Sequence, residues 1–128
     1  MNHVTEAVEN YLETILTLSA QRGTVRATDI CAEMGYSRPT VSIAVKAMKQ
    51  SALIEVDDHN LITLTPEGRR IAEEIYERHT VLSQALMYLG VDKETALQDA
   101  CKMEHDISDV SFACIKRFIN TANDMPKN

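Results

Sequence analysis

Residues 28–50, TDICAEMGYSRPTVSIAVKAMKQ, read as two helices joined by a tight turn. Thr28 is suited to cap the first, which carries Ile30, Cys31, Ala32 and Met34. Gly35 ends it, because glycine enters the left-handed conformation of a helix C-terminus without steric cost. Ser37 then caps a second helix. Pro39 falls in its first turn, where backbone N–H groups have no intrahelical acceptor. Val41, Ala44, Val45 and Met48 form the apolar stripe of that helix, while Arg38, Ser42, Lys46 and Lys49 lie largely away from it.

The flanking segments extend the pattern. Upstream, Val8, Tyr11, Leu12, Ile15, Leu16 and Leu18 recur at helical spacing between about Val4 and Gln21, with Gly23 beyond. Downstream, Leu53–Val56 and Leu61–Leu64 alternate around the turn-forming Asp57-Asp58-His59-Asn60 and predict a β-hairpin. Thr65-Pro66 opens a long helix to about Leu89, stopped by Gly90. Asp92 caps a fifth helix reaching about His105, and Ser108 a sixth reaching about Ile119. The order helix, short helix, turn, helix, hairpin is that of a winged helix-turn-helix. The predicted fold is therefore mainly α with a small β-hairpin wing. Residues 1–70 would form the winged helix-turn-helix and 71–122 a helical domain, with 123–128 a frayed polar tail.

The net charge of −6 at first disfavours nucleic acid as a partner, but its distribution reverses that inference. Between Ser37 and Gln50 the only charged residues are Arg38, Lys46 and Lys49. From Ile71 onward ten acids face six bases, so a basic element sits on an acidic, cation-attracting remainder. No apolar run reaches the roughly 20 residues of a membrane span. The N-terminus lacks the basic start and apolar core of a secretory signal, which predicts a cytoplasmic protein. Cys31, Cys101 and Cys114 are odd in number and widely spaced, as expected of thiols in a reducing compartment.

Several segments, in order, resemble a known family: residues 9–15 (ENYLETI), 39–42 (PTVS), 64–68 (LTPEG), Arg78-His79 and 99–105 (DACKMEH). Together they are similar to the diphtheria-toxin-repressor family of metal-dependent transcriptional repressors, over about Val8 to Phe118. In length the chain is like the two-domain, manganese-regulator branch, without an SH3-like third domain. The resemblance implies a homodimer, formed through the C-terminal helices, that binds a pseudo-palindromic operator in double-stranded DNA. It implies no membrane association and no organic small-molecule substrate.

Cys101, Glu104 and His105 stand at i, i+3 and i+4 and would share a helix face. Thiolate, carboxylate and imidazole together suit a borderline divalent metal. Asn10 and Glu13 can add an amide oxygen and a carboxylate from the first helix, and His79 an imidazole. By resemblance these six positions match the family's metal ligands. Manganese-type relatives carry Asp and Glu where this chain has Asn10 and Cys101. Because sulfur replaces hard oxygen here, iron(II) is expected over manganese(II), with one or two ions per subunit. The second site of iron-type relatives uses a Glu and a His at positions matching Ser83 and Leu97, whose side chains cannot serve. Metal binding is expected to fix the DNA-reading module for two half-sites about 34–36 Å apart.

On the recognition helix, Ser37, Arg38, Pro39 and Ile43 are assigned to base edges, with core coverage an alternative for Ile43. Arg26, Thr28, Thr40, Ser42, Lys46 and Lys49 are assigned to phosphates. Two other readings compete. A metal-independent regulator could sense oxidants through Cys101 or Cys114. An enzyme lacks sequence support: there is no nucleophile–base arrangement, no HExxH and no phosphate-cradling loop, with four glycines in all.

Overall fold

The computed structural model describes residues 4–124. In chain order these form α1 (Glu6–Arg22), α2 (Ala27–Met34), α3 (Arg38–Gln50), β1 (Ile54–Val56), β2 (Ile62–Leu64), α4 (Pro66–Tyr88), α5 (Lys93–Met103) and α6 (Asp109–Asp124). The described residues divide after Glu74 into two compact units, and α4 has residues in both. No described helix is long and apolar enough to cross a membrane.

Side-chain capping sets most of the boundaries. Thr5 accepts from the Val8 amide at 3.2 Å, Ser37 from Thr40 at 3.4 Å and Asp92 from Thr95 at 3.0 Å. Ser108 Oγ accepts from Ser111 N at 3.1 Å at the start of α6. The expected cap at Thr28 is displaced. Helix α2 begins at Ala27, and the Asp29 carboxylate accepts from Arg26 N at 2.8 Å, leaving Thr28 in the first turn. Asp29 also pairs with Arg22 at 3.0 Å, so a carboxylate outcompetes the threonine hydroxyl for this helix start.

The first unit has one apolar core. Leu12, Ile15 and Leu18 of α1 meet Val25, Ile30, Val41, Met48, Leu53, Ile54, Ile62, Ile71 and Ala72. Each fully buried aliphatic side chain contributes roughly 1.5–3 kcal/mol relative to exposure. The hairpin pairs Ile54 with Leu64, Glu55 with Thr63 and Val56 with Ile62, so Ile54 and Ile62 turn inward while Glu55 and Thr63 face out. Ile62 N also donates to the carbonyl of Val25 at 2.8 Å, which ties the hairpin to the α1–α2 connection.

At the wing tip, Asp57 Oδ1 accepts from the amides of His59 at 2.8 Å and Leu61 at 2.9 Å. The Leu61 amide first, and then His59, hold this carboxyl below the usual aspartate range. A folded pKa lower than the unfolded one gives stability above the unfolded pKa of about 4, lost as pH falls through the folded value. Asp57→Ala is therefore expected to melt below wild type at pH 7, with the gap closing in acid. A gap independent of pH, in thermal melts from pH 2 to 7, would remove the carboxylate's role.

In the second unit Ile75, Val81, Leu82, Ala96, Ala100, Phe112 and Ile119 are buried. Two expected ends move. Helix α5 stops at Met103 rather than near His105, and α6 continues past Ile119 to Asp124. Of the expected frayed tail 123–128, residues 123 and 124 are thus helical and 125–128 lie outside the described residues.

Candidate metal centre and nucleic-acid interface

In the second unit, α4 carries His79 and α5 carries Cys101 with Glu104 at its C-cap. One donor atom each from His79, Cys101 and Glu104 lies within 4.8 Å of the others. The His79 imidazole Nδ1 and Glu104 Oε2 share a hydrogen bond of 2.9 Å. His105 stands just beyond the helix in the following turn, yet its Nε2 is 3.4 Å from Glu104 Oε1. Glu104 keeps helical backbone angles (φ −62°, ψ −26°), which carries the i, i+3 relation with Cys101 past the last full turn.

Glu104 has no exposed surface, and the His105 side chain is almost as buried. Burying a carboxylate is costly unless cations or strong donors surround it, so a fully buried Glu beside two histidines is suited to hold a cation. Burial holds the His79 imidazole below the usual histidine range. A neutral imidazole keeps a lone pair on one ring nitrogen, the form that can hold a metal. Cys101 is exposed at the edge of the group. Imidazole, carboxylate and thiolate within this spacing fit a divalent transition metal.

Four of the six expected ligands are therefore neighbours. Asn10 and Glu13 lie one turn apart on α1, both half-buried, in the first unit. The residues matching the iron-type second site are otherwise engaged or apolar: Ser83 is buried with its Oγ donating to the Thr80 carbonyl at 3.0 Å, and position 97 is leucine.

All ten residues assigned to DNA are exposed: Arg26, Thr28, Ser37, Arg38, Pro39, Thr40, Ser42, Ile43, Lys46 and Lys49. Ile43 is 72% exposed, which removes the alternative that it covers core. Val41 and Met48 on the opposite side of α3 are buried and fix which face is presented. The Ser37 and Thr40 hydroxyls share a 2.9 Å hydrogen bond, so both are ordered at the helix start. Tyr36, unassigned from sequence, is half-exposed in the turn before α3, with its ring 5.9 Å from that of Tyr11.

Residues 3–60 match the family model for the iron-dependent repressor N-terminal DNA-binding domain, and residues 65–128 that for the iron-dependent repressor metal-binding and dimerisation domain. The transcriptional regulator MntR of Escherichia coli O6:H1 is 35% identical over 116 residues, covering 91% of this chain and 75% of the relative. The chain belongs to the diphtheria-toxin-repressor family. Among solved members, the manganese regulator SloR superposes with a TM-score of 0.77 at 29% identity, over 88% of this chain. A manganese-dependent transcriptional repressor in complex with manganese gives the same TM-score and identity. The chain spans about half the length of these two solved relatives, 53% and 52%. As a diphtheria-toxin-repressor family member it has the expected winged helix-turn-helix followed by helices of the dimerisation domain. The expected preference for iron(II) over manganese(II) gains no support from these relatives, two of which are described by manganese.

Proposed function

We propose that the chain is a cytoplasmic, homodimeric, DNA-binding transcriptional repressor of metal-homeostasis genes, with manganese(II) or iron(II) as corepressor. The observation that carries this reading is the grouping of His79, Cys101 and a fully buried Glu104 in a family of metal-dependent repressors. A bound divalent cation supplies the positive charge that such a donor set requires. His79, Cys101, Glu104 and His105 would hold it, and the resemblance adds Asn10 and Glu13 as further ligand positions. Manganese(II) is supported by the relatives, and iron(II) by the sulfur of Cys101. Either way the chain acts as a regulator rather than an enzyme.

Dimerisation is supported by apolar side chains exposed in the second unit: Tyr88, Leu89, Val110 and Phe118. Tyr88 and Phe118 meet edge to face at 5.5 Å, forming a pre-ordered aromatic pair suited to an interface. DNA binding is supported by the exposed basic and hydroxyl-bearing face of α3. Arg38 suits guanine, Pro39 and Ile43 suit a thymine methyl, and Lys46 and Lys49 suit phosphates.

Retention of fragmented genomic DNA on the immobilised protein tests the function. Fragments upstream of metal-uptake genes should be retained with manganese(II) or iron(II) and released by a chelator. Retention indifferent to both would sink the proposal. Replacing Lys46 or Lys49 with Ala should weaken binding evenly across DNA sequences and lower the salt-dependence slope by about one each. A loss confined to one base pair in the same titrations would reassign that lysine to base reading.

A further inference from the structure

Arg78 directly precedes His79 on α4, and the metal reading gives it no part. Its Nη1 donates to the main-chain carbonyls of Ile107 at 2.6 Å and Glu104 at 3.3 Å. Its Nη2 donates to the Asp109 carboxylate at the start of α6, and its guanidinium carbon lies 5.3 Å from the centre of the Phe112 ring. Glu104 is the C-cap of α5, where the last C=O groups of a helix have no helical partner, and Ile107 lies in the turn beyond it. A basic side chain that caps them also favours the negative end of the helix dipole.

That turn is the segment bearing Glu104 and His105. Of the two carbonyls that Arg78 holds, the more distant belongs to Glu104 itself, whose carboxylate meets His79, the residue next to Arg78. One side chain thus joins three helices around the donor group. The rigid planar fork of arginine can address several acceptors while lying against an aromatic ring; the compact ammonium of lysine cannot.

We propose that Arg78 is the positioning residue of the metal centre. It fixes the turn from Glu104 to Ile107 so that Glu104 and His105 meet His79 and Cys101, and it sets metal affinity without contacting the ion. This rests on the metal-binding reading above. An arginine that served stability alone would change the melting temperature and leave the coordination chemistry untouched.

Cobalt(II) titration of the full chain separates these roles, because the ion's visible bands and its thiolate charge transfer report coordination directly. Arg78→Gln is expected to bind cobalt(II) about 10–100-fold more weakly than wild type, with an altered thiolate band and an intermediate Arg78→Lys. Asp109→Asn, which loosens one arm of the guanidinium at an exposed partner, should weaken binding by up to about fivefold. Wild-type affinity and spectrum in Arg78→Gln, whatever its melting temperature, would overturn the proposal. Should Arg78→Gln fail to fold, Asp109→Asn and Phe112→Leu decide, and unchanged cobalt(II) binding in both overturns it. Absence of cobalt(II) binding by wild type overturns the metal-binding reading itself, a result distinct from any difference among variants.

Discussion

Glu104→Gln is expected to lower manganese(II) affinity by roughly a hundredfold or more, and to abolish metal-dependent DNA binding. Loss of a partner behind a ligand already costs about 10–100-fold, so loss of the anionic ligand at the centre of the group should reach at least the upper end. Glutamine keeps the volume and one carbonyl oxygen, so His79 retains an acceptor and the packing around residue 104 persists. Metal present at 100 times its Kd stabilises wild type by about 2.7 kcal/mol, and a hundredfold loss of affinity leaves about 0.4 kcal/mol. Thermal melts with and without manganese(II) therefore read the effect directly. A variant that keeps the full metal-induced shift would show that Glu104 is not a ligand.

Gly68→Ala is expected to cost about 3 kcal/mol or more, and on the order of 10 °C in melting temperature. Intrinsic propensity argues the other way, since Ala inside a helix is favoured over Gly by roughly 1 kcal/mol. Geometry decides the sign. A Cβ at position 68 would overlap the Leu53 carbonyl oxygen and lie 3.0 Å from its carbon. Backbone, unlike a long side chain, cannot swing aside. The same carbonyl accepts from Thr65 N at 3.1 Å, while Thr65 Oγ1 donates to the Ala52 carbonyl at 2.8 Å and accepts from Gly68 N at 3.1 Å. The first turn of α4 is thus laced to the end of the α3–β1 connection, and displacing it would break these bonds together. Arg69→Ala in the same turn, at an exposed position with only a 3.7 Å ion pair to Glu73, should stay within about 0.5 kcal/mol. Equal melting of the two variants would refute the close approach.

Much of the fold is legible in the sequence because its signals are local. Ser37 with Pro39, Thr65 with Pro66, and Asp92 each act within one helical turn. Alternation around Asp57–Asn60 does the same for the hairpin. The metal group is legible for the same reason on one side: Cys101 and Glu104 are three residues apart, and their spacing survives the helix end. Part of what escapes has long-range causes, and part turns on competition between neighbouring groups. Gly68 and Arg78 both stand in segments that resemble the family, but the need for each comes from residues 15 positions earlier and 26–31 positions later. The α2 start depends on competition between Thr28 and the Arg22-paired Asp29. Helix α6 runs on through Asn120–Asp124 although those residues are mostly polar; Ile119 is buried, and Thr121 Oγ1 donates back to the Arg117 carbonyl at 2.9 Å. Asn120, Thr121 and Asn123 are exposed, so their polarity marks a solvent-facing side of the helix.

The most direct test of metal-dependent repression is anaerobic fluorescence anisotropy on an upstream DNA fragment retained in the genomic selection. At fixed salt, it compares metal-stripped protein with protein supplied with manganese(II) or iron(II). Tight binding with metal, and binding at least tenfold weaker without it, is the predicted result. Equal affinity of the stripped and loaded protein would contradict the corepressor role and leave the His79, Cys101 and Glu104 group without a part in regulation.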